Sequence, residues 1–247
     1  MPNPLARVAL LFLFALPLSA DPLADVRAAL ARLTGRDAIR ATYELQRAVA
    51  NEGKFNNDAF TGKVTVEVIG DTDGFHMVFP KSLLEQIARE ENADAKSAKA
   101  VTPMLTASKE IDVGSTSELL DVAPRFLRML EGAKLVSDLP NTWQGKPARA
   151  LVLRLADKPQ QGPGKLTVTE NRLTLWLGSD MVPLAAEHIA AGKFSFLIFH
   201  GEARRKESWH LSRSGDRLVA HRHEFSETSS GMGQKGNESI VGTMRVH

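Results

Sequence analysis

The sequence predicts an α+β fold of about ten antiparallel strands and two to three helices. Three observations predict it. Apolar and polar residues alternate with period two through most of the chain after Ala133. Short Gly-, Asp-, Asn- and Pro-containing stretches separate these segments, which suits hairpins and meanders rather than crossover helices. Two other windows, one near the N-terminus and one in the middle of the chain, repeat apolar residues at the helical spacings of three and four.

Residues 1–20 stand apart from this pattern. Arg7 is followed by the apolar run Val8–Leu18, then by the small residues Ser19 and Ala20, and Asp21 begins a polar chain. Charge, short apolar stretch and small residues in that order are the layout of a cleavable secretory signal. The run is shorter than the roughly 20 residues a membrane span needs, and no later stretch reaches that length. The expectation is an exported, periplasmic protein comprising residues 21–247 as a single domain. The chain has no cysteine, which excludes disulfides and the thiol that anchors a bacterial lipoprotein. Its formal charge of +2 falls to +1 without Arg7, no excess for a nucleic-acid partner.

The elements follow in order. Leu23, Val26, Leu30 and Leu33 mark a helix ended by Gly35, and Ile39–Val49 reads as a strand. Val64, Val66 and Val68 alternate with polar neighbours, as do Phe75, Met77 and Phe79, around the turn at 70–74: a hairpin with one apolar face. Asp71 and Asp73 resemble the start of a calcium loop, but the later ligands are missing. Ser82 and Glu85 have capping-box spacing ahead of a helix through Leu83, Leu84, Ile87 and Ala88, and the charged, alanine-rich stretch 89–99 follows as a solvated helical extension or a mobile loop. Residues 116–131 are helical, either throughout or as a shorter helix capped by Asp121 with Pro124 in its first turn. Ser115 precedes this stretch as an ordinary N-cap.

Strands are expected at 134–139 and 148–156 about a turn-rich 140–147. Next come 166–170 and 172–177, separate or as one bent strand, then 182–190. Residues 194–203 form a further strand after Gly192. Residues 207–212 and 217–225 flank an Arg-Ser-Gly-Asp turn, and 239–246 follows a Ser/Gly-rich loop at 226–238. Leu173, Leu175 and Leu177 share one face with Trp176 on the other, and Phe194–Phe199 is apolar on both faces. A central strand covered on both sides explains such a run; an apolar cavity is the alternative.

Candidate chemistry is sparse. In a tight hairpin His210 lies opposite His221, and His223 points the same way, so three imidazoles on one face become a possible zinc or copper site. No nucleophile elbow, phosphate loop or zincin motif is present, so no catalytic residue and no cofactor are implied, and a non-enzymatic role is expected.

The exported cysteine-free start, the leading helix, strand 39–49, the hairpin 62–80 with its following helix, and the segment Leu173–Leu184 around Asp180 and Pro183 together resemble the periplasmic lipoprotein-carrier (LolA-like) superfamily. The resemblance implies an incomplete β-barrel, a curved antiparallel sheet with helices over its concave side. It also implies a lipid or other amphiphilic ligand in an apolar cavity lined by Val64, Val66, Val68, Phe75, Met77, Phe79, Leu173, Leu175 and Leu177. The alternatives are an envelope protein-interaction module with a filled core, its partner surface on 89–110 and 226–238, and a metal-dependent enzyme built on His210, His221 and His223.

Overall fold

In the computed structural model, residues 21–53, 59–97, 102–157, 165–196 and 199–247 are described. The expected export signal lies outside them, as do Leu197 and Ile198 of the apolar run. The strands are β1 (Ile39–Gly53), β2 (Ala59–Asp71), β3 (Gly74–Val78), β4 (Lys134–Trp143), β5 (Lys146–Arg154), β6 (Lys165–Leu177), β7 (Pro183–Phe196), β8 (Phe199–Ser214), β9 (Arg217–Gly231) and β10 (Gln234–Val246). They form one antiparallel sheet in the order β3-β2-β1-β10-β9-β8-β7-β6-β5-β4. This is the expected α+β class with ten strands, open rather than closed into a barrel.

Five helices occur among the described residues, more than the two to three expected: α1 (Pro22–Ala31), α2 (Lys81–Asp94), α3 (Pro103–Ser108), α4 (Val113–Leu120) and α5 (Ala123–Met129). Four of them lie between β3 and β4, the two edge strands. The chain leaves the sheet at one edge and rejoins it at the other, and the helices cover the concave face on the way. Leu119, Leu120, Val122, Phe126 and Leu130 join Leu151, Leu153, Leu173 and Trp209 in one buried core, and α1 adds Val26 and Leu30.

Two-residue turns set the hairpin registers. Gln144-Gly145 and Met232-Gly233 have positive φ at both positions, and Gly215 has φ +59° at the first position of the β8–β9 turn. These are the turns whose twist matches paired strands. A backbone ladder of this kind needs no apolar side chains, so residues 226–238, expected as a loop, are the paired ends of β9 and β10. Similarly, β4 runs through Pro140 because an edge strand tolerates a missing amide. Residues 166–177 form one strand with a bulge between Val168 and Glu170. Gly192 lies inside β7, so 194–203 is not one strand: β7 pairs with β8 from Phe196 and Phe199 onward, and the apolar run spans their connection.

The helix starts also correct the sequence. The carbonyl of Pro80 accepts from the amides of Leu83 at 3.0 Å and Leu84 at 3.1 Å, so α2 begins at Lys81, two residues earlier than a Ser82 cap requires. Ser82 then sits inside the first turn, and no side chain caps this helix. Ser115 is not a cap either; Asp112 is, accepting from Ser115 N at 2.9 Å. Residues 116–131 are two helices: α4 ends at Leu120, and α5 starts at Ala123 with Pro124 in its first turn. Asp121 accepts from Ala123 N at 3.3 Å but is not the expected cap, a place taken by Val122 without a side-chain bond.

The long strands outrun the helices. Their proximal half, near the β8–β9 turn, lies under helical cover. Their distal half, where β7 ends and β8 starts, does not.

Candidate functional site

Six of the nine expected pocket residues, Val64, Val66, Val68, Leu173, Leu175 and Leu177, are buried members of the core. Phe75, Met77 and Phe79 are half-buried and pack against it. The structure brings all nine to the concave side of the proximal half, as parity dictates. Side chains from α1, α4 and α5 share that core with them.

The histidines do not assemble as expected. A bulge after His210 shifts the register, so His223 pairs with Trp209 and His210 with Arg222. Alternation along β8 then puts His223 on the concave face with Trp209, and His210 on the outer face. His221 stays near His210, ring centroids 6.1 Å apart. Among the described residues no three His, Cys, Asp or Glu side chains converge on a possible metal position.

A polar belt crosses the concave face where helical cover ends. At its centre is Glu207 of β8, buried at 7% exposure. It accepts from Arg125 Nη2 of α5 at 2.7 and 2.8 Å and from His223 Nε2 at 2.9 Å. Arg125 also reaches Glu118 of α4 at 3.3 Å and lies over the Trp209 ring at 5.0 Å. Trp209 stacks on His223 at 5.6 Å and meets the edge of Phe126 at 5.4 Å. Its Nε1 is buried without a hydrogen-bond partner. Beside Glu207 in register stands His188, bonded to Asn171 Oδ1 at 3.0 Å. Toward β1 the belt continues with Arg47, paired to Glu238 at 2.7 Å and to Glu110 at 3.1 Å.

The electrostatics follow from the geometry. Burial pushes the Glu207 carboxyl up, but the His223 hydrogen bond and the Arg125 charge outweigh it, and the group stays below the usual carboxylate range. Burial holds the His188 imidazole below its ordinary value, with Arg125 and Arg205 acting in the same direction and Glu207 against them. Because Arg125 and His223 occupy the Glu207 carboxylate, it ties α5 to the sheet and is not offered to a substrate.

Beyond the belt the concave face opens. Leu166 and Phe194 are 48% and 47% exposed, and Met232 at the β9–β10 turn is 62% exposed. The floor between them is glycine. The Phe194 ring lies on Gly201, where an added Cβ would stand 2.3 Å from it, and a Cβ on Gly231 would meet the His200 carbonyl at 2.9 Å. A groove of about 310 Å³ is lined here by Phe194, Met232, Asn51, Ser229, Gln234 and Lys235 among others. A larger one of about 640 Å³ lies on the opposite face of the same strand ends, lined by Ala191, Glu202, Arg204, Thr228, Lys235 and Asn237 among others. Phe194, expected within a covered strand or a cavity, is instead at this open surface.

The sequence offered one unread signal of the belt. On β8, Trp209, Glu207 and Arg205 share parity, so a tryptophan facing the core places a glutamate beside it on the same face. Such a glutamate requires a buried partner. That this partner is Arg125, eighty-two positions earlier, depends on where α5 crosses the sheet.

No family model matches the sequence, and no curated protein matches it. Among solved structures, the crystal structure of MucB in complex with MucA(peri) is a neighbour with 9% sequence identity, covering 90% of this chain and 93% of that chain at a TM-score of 0.24. The likeness is a weak, fold-level one.

Proposed function

We propose that this chain is an exported envelope protein whose role is to bind another polypeptide on the distal half of its concave face, a binding role rather than a catalytic one. The observation that carries this reading is the contrast along one sheet. The residues that would line an acyl cavity are packed into core, whereas Leu166, Phe194 and Met232 stand exposed around a glycine floor. An open apolar groove with polar groups at its rim suits a partner segment laid across the strands. Export rests on the layout of residues 1–20.

The test pairs two substitutions in protein isolated from its native envelope. Phe194→Asp is expected to abolish recovery of the wild-type partner, and Leu139→Asp, exposed on the far edge strand, to preserve it. Equal recovery with both variants overturns the reading. A carrier of amphiphiles is the second reading. It is favoured by α2, which buries only Leu83 and so costs little to displace. Stoichiometric lipid on the purified protein, or saturable uptake of a fluorescent fatty acid after delipidation, selects the carrier.

A further inference from the structure

The outer face of the sheet carries a row of rings that partner binding on the concave face leaves unused. Trp176 of β6, Ala185 of β7 and His210 of β8 stand abreast in register. Trp143, at the end of β4, folds over this row, its ring 5.2 Å from Trp176 and 5.2 Å from His210. Beneath lie the small buried residues Ala150 and Ala185. The bulge after His210 frees His221 from the ladder and turns its ring to within 6.1 Å of His210, the planes 78° apart. Among the described residues neither imidazole has a hydrogen bond or an ion pair. The nearby cations are satisfied: Arg222 pairs with Glu224 at 2.5 Å and Arg213 with Asp180 at 3.3 Å.

We propose that His210 and His221 form a two-imidazole site for a single copper(II) ion on the outer face. An imidazole nitrogen binds such an ion at about 2.1 Å and the ring centre lies about 1.1 Å further, so two rings sharing one ion stand at most about 6.4 Å apart. The observed separation is inside that limit. Copper(II) heads the affinity order of divalent ions for nitrogen ligands, and water fills the remaining positions on an exposed face. Trp143, in edge contact with His210, is a built-in reporter, because bound copper(II) quenches an indole at that distance.

The experiment titrates the metal-free protein with copper chloride in a non-coordinating buffer at neutral pH, following tryptophan emission and calorimetric heat together. The expected result is saturable one-to-one binding with quenching. His210→Asn and His221→Asn should each raise the half-saturating copper concentration at least tenfold, and His76→Asn should not change it. Trp143→Phe should keep the calorimetric binding and lose most of the quenching. Unchanged binding in the His210→Asn/His221→Asn double variant, with native circular dichroism, overturns the site. So does the absence of any one-to-one binding in the wild type.

Discussion

The two halves of one sheet use the same strands for different ends. In the proximal half, inward positions of β1, β2, β6 and β8 carry Tyr43, Val66, Leu175 and Trp209, all buried under helices. In the distal half the same strands, and their neighbours, carry Asn51, Leu166, Ala203 and Ser229 at inward positions, none of them buried. The belt of Arg47, Glu238, His223, Glu207 and His188 separates the halves. Stability is therefore expected to reside on one side of the belt and binding on the other. A matched pair of substitutions tests this most severely. Phe126 is fully buried and Phe194 is 47% exposed. Phe126→Ala should lose about 3–5 kcal/mol in urea denaturation, the usual cost of deleting a core aromatic. Phe194→Ala should stay within about 0.5 kcal/mol while weakening partner binding. Similar stability losses in both would show that the distal half is part of the folding core.

The belt gives the next largest effect. Glu207→Gln leaves the Arg125 guanidinium half-paired against Trp209, and breaking a buried pair on one side costs about 3 kcal/mol. The pH dependence has a definite sign. His188 titrates below its ordinary value of 6.5 when folded, so the unfolded chain takes up the proton first. Stability should fall as pH drops below about 6.5, and His188→Gln should flatten that part of the profile. Glu207, lowered in the fold, keeps its contribution above the ordinary carboxylate range and loses it only as pH falls through its lowered value. A midpoint of urea denaturation independent of pH between 7 and 5 would remove the half-buried His188 from this account.

Gly62 marks where α3 rests on β2 at the margin of the covered half. A Cβ there would stand 2.0 Å from the carbonyl oxygen of Pro103, a backbone atom that cannot rotate away. Gly62→Ala should push α3 off the strand and cost about 1–3 kcal/mol, measured by the same denaturation. A neutral result would mean that α3 is already loosely held and that the covered half ends before it.

The period-two pattern in the sequence was sufficient for the sheet because one face of each proximal strand is packed on core, as at Val64–Val68 and Leu173–Leu177. Where neither face is packed, the pattern vanishes while the ladder persists, and residues 226–238 therefore read as a loop. The histidine triad failed for a different reason. One bulged residue reverses which face a side chain occupies, and nothing in the residues around His210 announces it. The residues expected to line a cavity lie in the core or pack against it. That they are core depends on helices α4 and α5 packing across them, a tertiary fact without a local sequence mark.

The smallest predicted effect tests the open half directly. Arg205 and Glu227 pair at 2.6 Å beyond the belt, with side chains 54% and 30% exposed, in the same antiparallel arrangement that buries Trp209 beside His223. Solvent screens such a pair, and its net worth is about 0–1 kcal/mol. Glu227→Gln should therefore change stability by less than about 1 kcal/mol, and added salt should erase even that difference. Glu207→Gln, one repeat of the same face away, should keep most of its cost in high salt, because the carboxylate is buried and its partners are mostly shielded from solvent. A salt-insensitive loss at Glu227 would mean that the distal half is covered in solution, by a second copy or by a bound segment.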